Sequence, residues 1–453
     1  MAVGRRTSYG VLKLTKGAET KSARSTAHIN GSKHKPQRAR SLVAVLLLLF
    51  MANVFDPGGA LGVRYVAFVV ACLSTLWALR FFYLPPRALI VGLVLFVVWP
   101  MWELFYGVVR GGDVFEGIVQ VAPFLFVCLL ALILPAFDRR TPLRLFYACL
   151  LVLAVVVIAS FALIVLLPNS LVSQRLVESF SSLNEREGYF GAQVLGGIEV
   201  PWIYFRSTLF LVPAFVYFLF LGRLLRAGTI LLALGLALSK AGVTIAVLFA
   251  VYYSLTTLFG SPILTKFRGT KRPMQGWTRR LLPILVIGVA VLAIFLSLPT
   301  FSDELRDAWE GNSETSQIRI DHFRSVMVLF QDHPGYLFVG QGVGVPFYSF
   351  GTSTYVQSFE IDHLNTIRKF GFPWFVGFSI VVFYSARGLI KSGGTEGRAL
   401  GLALVSSYLA SGTNPVLISD LFMMLMTLSY SAQMSVPLLQ TPQSNLSTGA
   451  IDP

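Results

Sequence analysis

The sequence predicts an all-α integral membrane protein, with about twelve transmembrane helices and one large, partly helical loop. Three observations carry this reading. Only 13% of the 453 residues are charged while 55% are hydrophobic, against about 25% charged in an ordinary soluble domain. The apolar residues fall in long runs nearly free of charge, and crossing a hydrocarbon core of ~30 Å takes roughly 20 of them per helix. Cationic and acidic residues also segregate into alternate inter-run segments, as expected when Lys and Arg gather on the cytoplasmic side.

Residues 1–40 carry Arg5, Arg6, Lys13, Lys16, Lys21, Arg24, Lys33, Lys35, Arg38 and Arg40 against the single acid Glu19. Low apolar content with high charge predicts a disordered cytoplasmic tail lying against anionic lipid, with no cleavable signal and no nucleic acid as partner. Apolar runs follow at 42–55, 63–79, 88–99, 114–134, 145–167, 202–221, 227–238, 241–259, 281–298, 363–384, 399–409 and 416–434. With the tail inside, alternation keeps most of the 37 Lys and Arg inside and most of the 22 acids outside. Both termini are then cytoplasmic. Nine spans fall within 41–298, including an outer loop at 168–201. A large outer loop covers 299–362, the last three spans lie in 363–435, and 436–453 is a second tail.

Within the large loop, Leu305, Ala308, Ile318, Phe323, Val326, Leu329 and Phe330 keep helical spacing, so part of 302–331 is expected to be helical. Asp303, Glu304, Asp307 and Glu310 crowd its start, as the first turns of a helix prefer. The glycine-rich 335–351 reads as a loop. No internal repeat stands out, which gives no support to an inverted-repeat transporter.

Cys72, Cys128 and Cys149 all lie in apolar runs and read as small packing residues. No zinc, P-loop or dinucleotide fingerprint is present, and the 340–344 glycines lack the Lys a phosphate loop uses, so no metal or cofactor is expected. Interest falls on ionisable residues at the outer edge of spans: Arg206, Lys240, Arg319 and His363. A guanidinium is always charged and grips two oxygens at once, which suits a pyrophosphate. Arg319 and Arg324 lie about 140° apart on a helix and are not a clamp by themselves. Salt bridges to Asp321 or Asp307 are the structural alternative for Arg319, and headgroup contact is the alternative for Arg206 and Lys240. His363 precedes a long apolar run; its imidazole can take a proton from a hydroxyl, with Asp362 or Glu360 placed to orient it. His322 and His333 are weaker competitors.

Arg319, His333-Pro334-Gly335, the loop Gly340-Gln341-Gly342-Val343-Gly344, His363-Leu364-Asn365 and Gly371, in this order, resemble the signature region of the O-antigen polymerase and O-antigen ligase superfamily. Ser239-Lys240-Ala241-Gly242 is similar to a Ser-Arg turn found upstream, and Arg206 stands where that family has an outer-edge arginine. The sequence departs from the pattern in Leu364 between His and Asn, in Lys369 for an acid, and in Lys240 for Arg. The resemblance implies a GT-C-like bundle with a lateral opening for a polyprenyl chain. It implies metal-independent, inverting glycosyl transfer from an undecaprenyl-pyrophosphate-linked oligosaccharide, on the periplasmic face of the bacterial inner membrane. His363 would be the general base. Arg206 and Arg319, with Arg324 and Lys240, would hold the pyrophosphate, and Asp362, Glu360 and Asn365 would orient base or acceptor.

Gly412-Thr413-Asn414-Pro415 before the last run is similar to polymerases in particular. The expected activity is therefore polymerisation of lipid-linked repeats into O-antigen or exopolysaccharide, with membrane lipids and a chain-length regulator as partners. The alternatives are a ligase acting on lipid A-core in lipopolysaccharide synthesis, and a transporter of the same lipid-linked glycan. The catalytic reading requires Arg206, Arg319 and His363 to converge.

Overall fold

The computed structural model describes residues 35–57, 61–79, 86–138, 140–182, 188–195, 198–237, 239–258, 314–392, 394–412, 414 and 416–434. The expected span at 281–298, the start of the large loop, the C-terminal tail and most of the N-terminal tail lie outside these residues. The described residues are mostly helical, and four helices among them are long and apolar enough to cross a membrane: Leu89–Val109, Val114–Ala136, Arg140–Leu166 and Phe372–Lys391. Shorter apolar helices occupy Ser41–Phe55, Val63–Leu76, Arg206–Phe220, Leu224–Leu236 and Ala241–Thr257. Ile90, Phe105, Phe115, Val155 and Ile380 point outward from the long helices. So much exposed apolar surface is stable when lipid covers it. The protein is a helical membrane protein.

Several boundaries differ from the sequence expectation. The first helix starts at Lys35, so the basic tail is shorter than 1–40. The run expected to stop at Trp99 continues through Pro100 to Val109. A π-helical turn at Val94–Val98 makes this possible. Pro100 has no N–H for the carbonyl five residues back, which π geometry would pair with it. That carbonyl, Leu95, instead accepts the Trp374 indole N–H at 2.9 Å. Trp99 returns the link by donating to the Phe370 carbonyl at 3.0 Å. These two bonds join the Leu89–Val109 helix to the start of the Phe372–Ser392 helix and to the end of the Asp362–Phe370 helix before it, around the rings of Phe370, Trp374 and Phe378.

Strands are few among the described residues, and the fold is consistent with the all-α expectation. The 168–201 region holds a helix, Leu171–Ser182, and an antiparallel hairpin, Gly188–Leu195 with Ile198–Phe205. What reads in sequence as one span over 202–221 is strand to Phe205, then a 3-10 turn, then helix from Leu211. The large loop supplies helix Glu314–Asp332 and a small ribbon, Phe347–Ser349 with Thr354–Val356. Buried Val326, Phe347 and Phe359 give this region its own small core. The run expected at 363–384 is two helices, Asp362–Phe370 and Phe372–Ser392. Gly371, at φ 80°, ends the first by donating to the Ile367 carbonyl, and Pro373 starts the second in its first turn, where no N–H is needed.

The glycine loop 340–344 packs backbone against backbone. Val343 N–H donates to the Glu103 carbonyl, Asp113 N–H to Gly344, and Gln341 N–H to Arg368. A Cβ on Gly342 would lie 2.6 Å from the Gly107 Cα. The loop fastens the short Asp362–Phe370 helix to the membrane helices, and that helix carries the candidate site.

Candidate functional site

The Asp362–Phe370 helix reads Asp-His-Leu-Asn-Thr-Ile-Arg-Lys-Phe, with its acid in the first turn and its cations in the last, as the helix dipole favours. Asp362, Asn365, Arg368 and Lys369 are buried, and each polar group has to find a partner. Arg368 is the keystone. One Nη donates to Gln341 Oε1 and the Val345 carbonyl, the other to the Gln357 carbonyl at 2.7 Å and Asn365 Oδ1 at 3.0 Å. Its guanidinium lies 4.4 Å from the Phe347 ring centroid. Burial pushes its pKa down to about 9. Lys369 Nζ donates to Ser358 Oγ at 2.8 Å, and burial lowers its pKa too, with the Arg368 charge acting the same way. Asp362 accepts the Leu417 N–H; burial raises its pKa against the pull of that bond, Lys369 and Arg206.

His363 is half-buried between the rings of Tyr408 and Phe375, 4.7 and 5.7 Å away between centroids. Its Nε2 lies 3.0 Å from Ser411 Oγ. The Ser411 hydroxyl donates its single proton to the Tyr408 carbonyl at 2.6 Å, so towards His363 it accepts. Nε2 then carries the imidazole proton and Nδ1 the lone pair. The Nδ1 edge faces Gly412, where an added Cβ would sit 3.6 Å away. Burial lowers the His363 pKa below its ordinary value, which keeps the ring neutral and able to accept a proton. The expectation that Asp362 or Glu360 orients this ring is corrected: Asp362 is committed to Leu417 and Glu360 to Arg319. Ser411 and the Tyr408 carbonyl do the orienting.

Arg206 is positioned by the strand that ends at Phe205 and the 3-10 turn beginning at its own residue. Ser207 Oγ caps the Val54 carbonyl and Thr208 Oγ1 the Phe205 carbonyl, which ties that turn to the first helix. Arg206 lines a cleft of about 100 Å³ with Asn53, Arg64, Ser207, Ser419 and Asp420. Arg64 pairs with Asp420 at 2.9 Å, and the Arg206 charge acts on Asp420, Asp362 and Lys369.

Arg319 donates to Glu360 from Nε at 2.9 Å and from Nη2 at 2.8 Å. Its salt bridge is thus neither of the two the sequence suggested. Arg324 is exposed and pairs with Asp321 at 3.3 Å, away from this cluster. Lys240 opens the helix Lys240–Leu258; its side chain lies outside the described residues. His322 bonds Ser349 Oγ through Nδ1 at 2.7 Å and so serves to fasten the ribbon.

Within 360–365, Glu360 bonds Arg319 and Asn365 bonds Arg368, while Arg206 acts on Asp362 through its charge. Sequence reasoning missed Arg64, Arg368, Tyr408, Ser411 and Asp420. Arg64 was findable: it stands at the edge of the 63–79 run, as Arg206 does at its own. Among the described residues no three His, Cys, Asp or Glu are grouped to hold a metal. An apolar groove of about 450 Å³ runs along the Phe372–Ser392 helix past Phe375, Ser379, Ile380, Phe383 and Tyr408, beginning at the two rings that flank His363. No protein-family model matches the chain, and no curated protein matches it.

Proposed function

We propose that this protein is a polysaccharide polymerase of the inner membrane. In this reading it transfers a glycan from undecaprenyl pyrophosphate to a hydroxyl of another lipid-linked repeat, at the periplasmic face of a bundle of about twelve spans. The observation that supports the proposal is His363, held through Nε2 by Ser411 beside an apolar groove that Phe375 and Tyr408 line.

In the reaction, His363 Nδ1 takes the proton of the acceptor hydroxyl as its oxygen attacks the anomeric carbon. The bond from that carbon to the pyrophosphate oxygen breaks with inversion, and the electron pair leaves on the pyrophosphate. Arg206, with Arg64 in the same cleft, meets the charge that grows there, where fixed positive groups count most. Arg64 must then share its charge between Asp420 and the phosphate. The apolar groove beside Phe375 and Tyr408 suits a polyprenyl tail whose head lies near His363.

The test is complementation of a deletion strain with wild type or His363→Ala, with the surface polysaccharide resolved on a gel. Collapse of a wild-type ladder to core plus one repeat supports a polymerase that depends on His363. Loss of all glycan from the core, with polymer kept on the lipid carrier, indicates a ligase. An unchanged ladder from well-expressed His363→Ala removes the general base and favours transport, for which Glu103, buried inside the Leu89–Val109 helix, would be the next residue to study.

A further inference from the structure

The ribbon at 347–356 has two unlike faces. Phe347 and Ser349 point inward and are buried, whereas Tyr348, Phe350 and Tyr355 point outward, 44%, 45% and 72% exposed. Strand alternation puts Tyr348 and Phe350 on one side, and the register sets Tyr355 opposite Tyr348. Ring centroids lie 5.7 Å apart for Tyr348 and Phe350, and 5.5 Å for Tyr348 and Tyr355. Three exposed rings thus form one continuous aromatic surface.

The surface is held rigidly from behind. His322 bonds Ser349, Ser325 Oγ accepts the Phe350 N–H at 2.8 Å, and Gly351 sits so close to Ile318 that a Cβ would lie 2.6 Å from its carbonyl oxygen. Arg368 stacks on Phe347 and bonds the Gln357 carbonyl. The ribbon is therefore braced by the same helix that carries His363. Rigid rings cost little entropy when a ligand settles on them.

Charge and position identify the ligand class. From 334 to 359 the sequence has no Asp, Glu, Lys or Arg, so the surface does not suit an anionic headgroup. Its turn, Phe350-Gly351-Thr352-Ser353, has one apolar ring and two hydroxyl side chains, where a lipid-inserting hairpin would be apolar throughout. Its neighbours, Glu314–Asp332 and Asp362–Phe370, are polar helices. A sugar ring has one face of C–H groups and an edge of hydroxyls. The C–H face lies against the negative faces of aromatic rings, and the hydroxyls find Thr352, Ser353 and Thr354.

We infer that Tyr348, Phe350 and Tyr355 form a binding platform for an uncharged stretch of glycan, holding it beside the helix of His363. That this glycan belongs to the donor or acceptor rests on the proposed transferase activity; the platform itself does not. The test uses the full chain in lipid nanodiscs and, as probe, oligosaccharide released by mild acid from the host strain's surface polysaccharide. Saturation-transfer NMR is expected to show contact with wild type and His363→Ala alike. Tyr348→Ala with Tyr355→Ala should weaken binding about tenfold, while Tyr348→Phe keeps it. Equal binding by wild type and the double alanine variant overturns the platform, as does no binding by wild type. A second readout compares Tyr348→Trp with wild type in brominated lipids: quenching of the added signal beyond that of the seven native Trp means the face lies in the membrane, and the inference fails. If His363→Ala leaves the polysaccharide ladder intact while the binding loss is still seen, the transferase reading fails and the platform stands.

Discussion

Ser411 Oγ bridges His363 Nε2 at 3.0 Å and the Tyr408 carbonyl at 2.6 Å. This one hydroxyl decides which imidazole nitrogen keeps a lone pair. Ser411→Ala is expected to lower glycan transfer about tenfold, by freeing the ring, whereas His363→Ala lowers it about 100- to 10,000-fold, the span of a general base. Transfer rates in vesicles loaded with lipid-linked repeats measure both. Equal losses would mean that Ser411 does more than orient.

The pH profile should follow from burial. Burial holds the His363 pKa below its ordinary value, so the neutral base predominates at pH 7 and activity falls on the acid side, with its midpoint below about 6.5. His322 is depressed by burial as well. For both, the unfolded chain binds protons first, so the stability they contribute is complete above about pH 6.5 and is lost as pH falls below it. Melting temperature in detergent, scanned from pH 8 to 5, should therefore drop towards acid, and less so in His322→Asn.

The arginines should separate by environment. Arg206 lines the buried cleft, while Arg319 is more than a third exposed and tied to Glu360. Arg206→Ala is expected to cost about 100-fold or more in transfer. Arg324→Ala should be neutral, and Arg319→Ala should change stability by no more than ~1 kcal/mol. Arg64→Ala should resemble Arg206→Ala. The same transfer assay ranks all four, and a larger loss from Arg319 than from Arg206 would reverse the assignment of the phosphate site.

Arg368 is expected to matter through folding. Removing its side chain leaves the Val345 and Gln357 carbonyls and the Asn365 amide oxygen without this donor, a loss of about 3–5 kcal/mol for a buried charged hub. Arg368→Lys should fail to restore it, because an ammonium cannot fork to four acceptors. Thermal unfolding followed by size-exclusion chromatography reads the difference.

Gly342→Ala probes the glycine loop. At φ 94°, with its added Cβ 2.6 Å from the Gly107 Cα, alanine is both strained and overpacked, a destabilisation of about 2–4 kcal/mol. Thermal unfolding of wild type and Gly342→Ala measures the loss, and an unchanged melting temperature would mean that the loop shifts to make room.

What the sequence by itself determined was the solvent. Long uncharged runs dictate helices in lipid, because only a helix satisfies its own backbone there. Scarcity of charge made Arg206, Arg319 and His363 conspicuous, and Arg319 bonds Glu360, three residues before His363. Local chemistry was less legible. Pro100 read as a stop, yet a π turn and the Trp374 indole, more than 270 positions away, carry the helix through it. The 363–384 run read as one span because its apolar part masked the polar Asp362–Phe370 helix and the Gly371 break. Hydrogen-bond partners were beyond reach altogether: Asp362 and Glu360 lie beside His363 in sequence, but a side chain's partner is set by what packs against it. Tertiary structure alone brought Ser411 to the imidazole, Arg64 to Asp420 and the Gln341, Val345 and Gln357 oxygens to Arg368. Each pairing joins distant helices or separated loop segments, and the need to satisfy every buried polar group selects it only once the chain has folded.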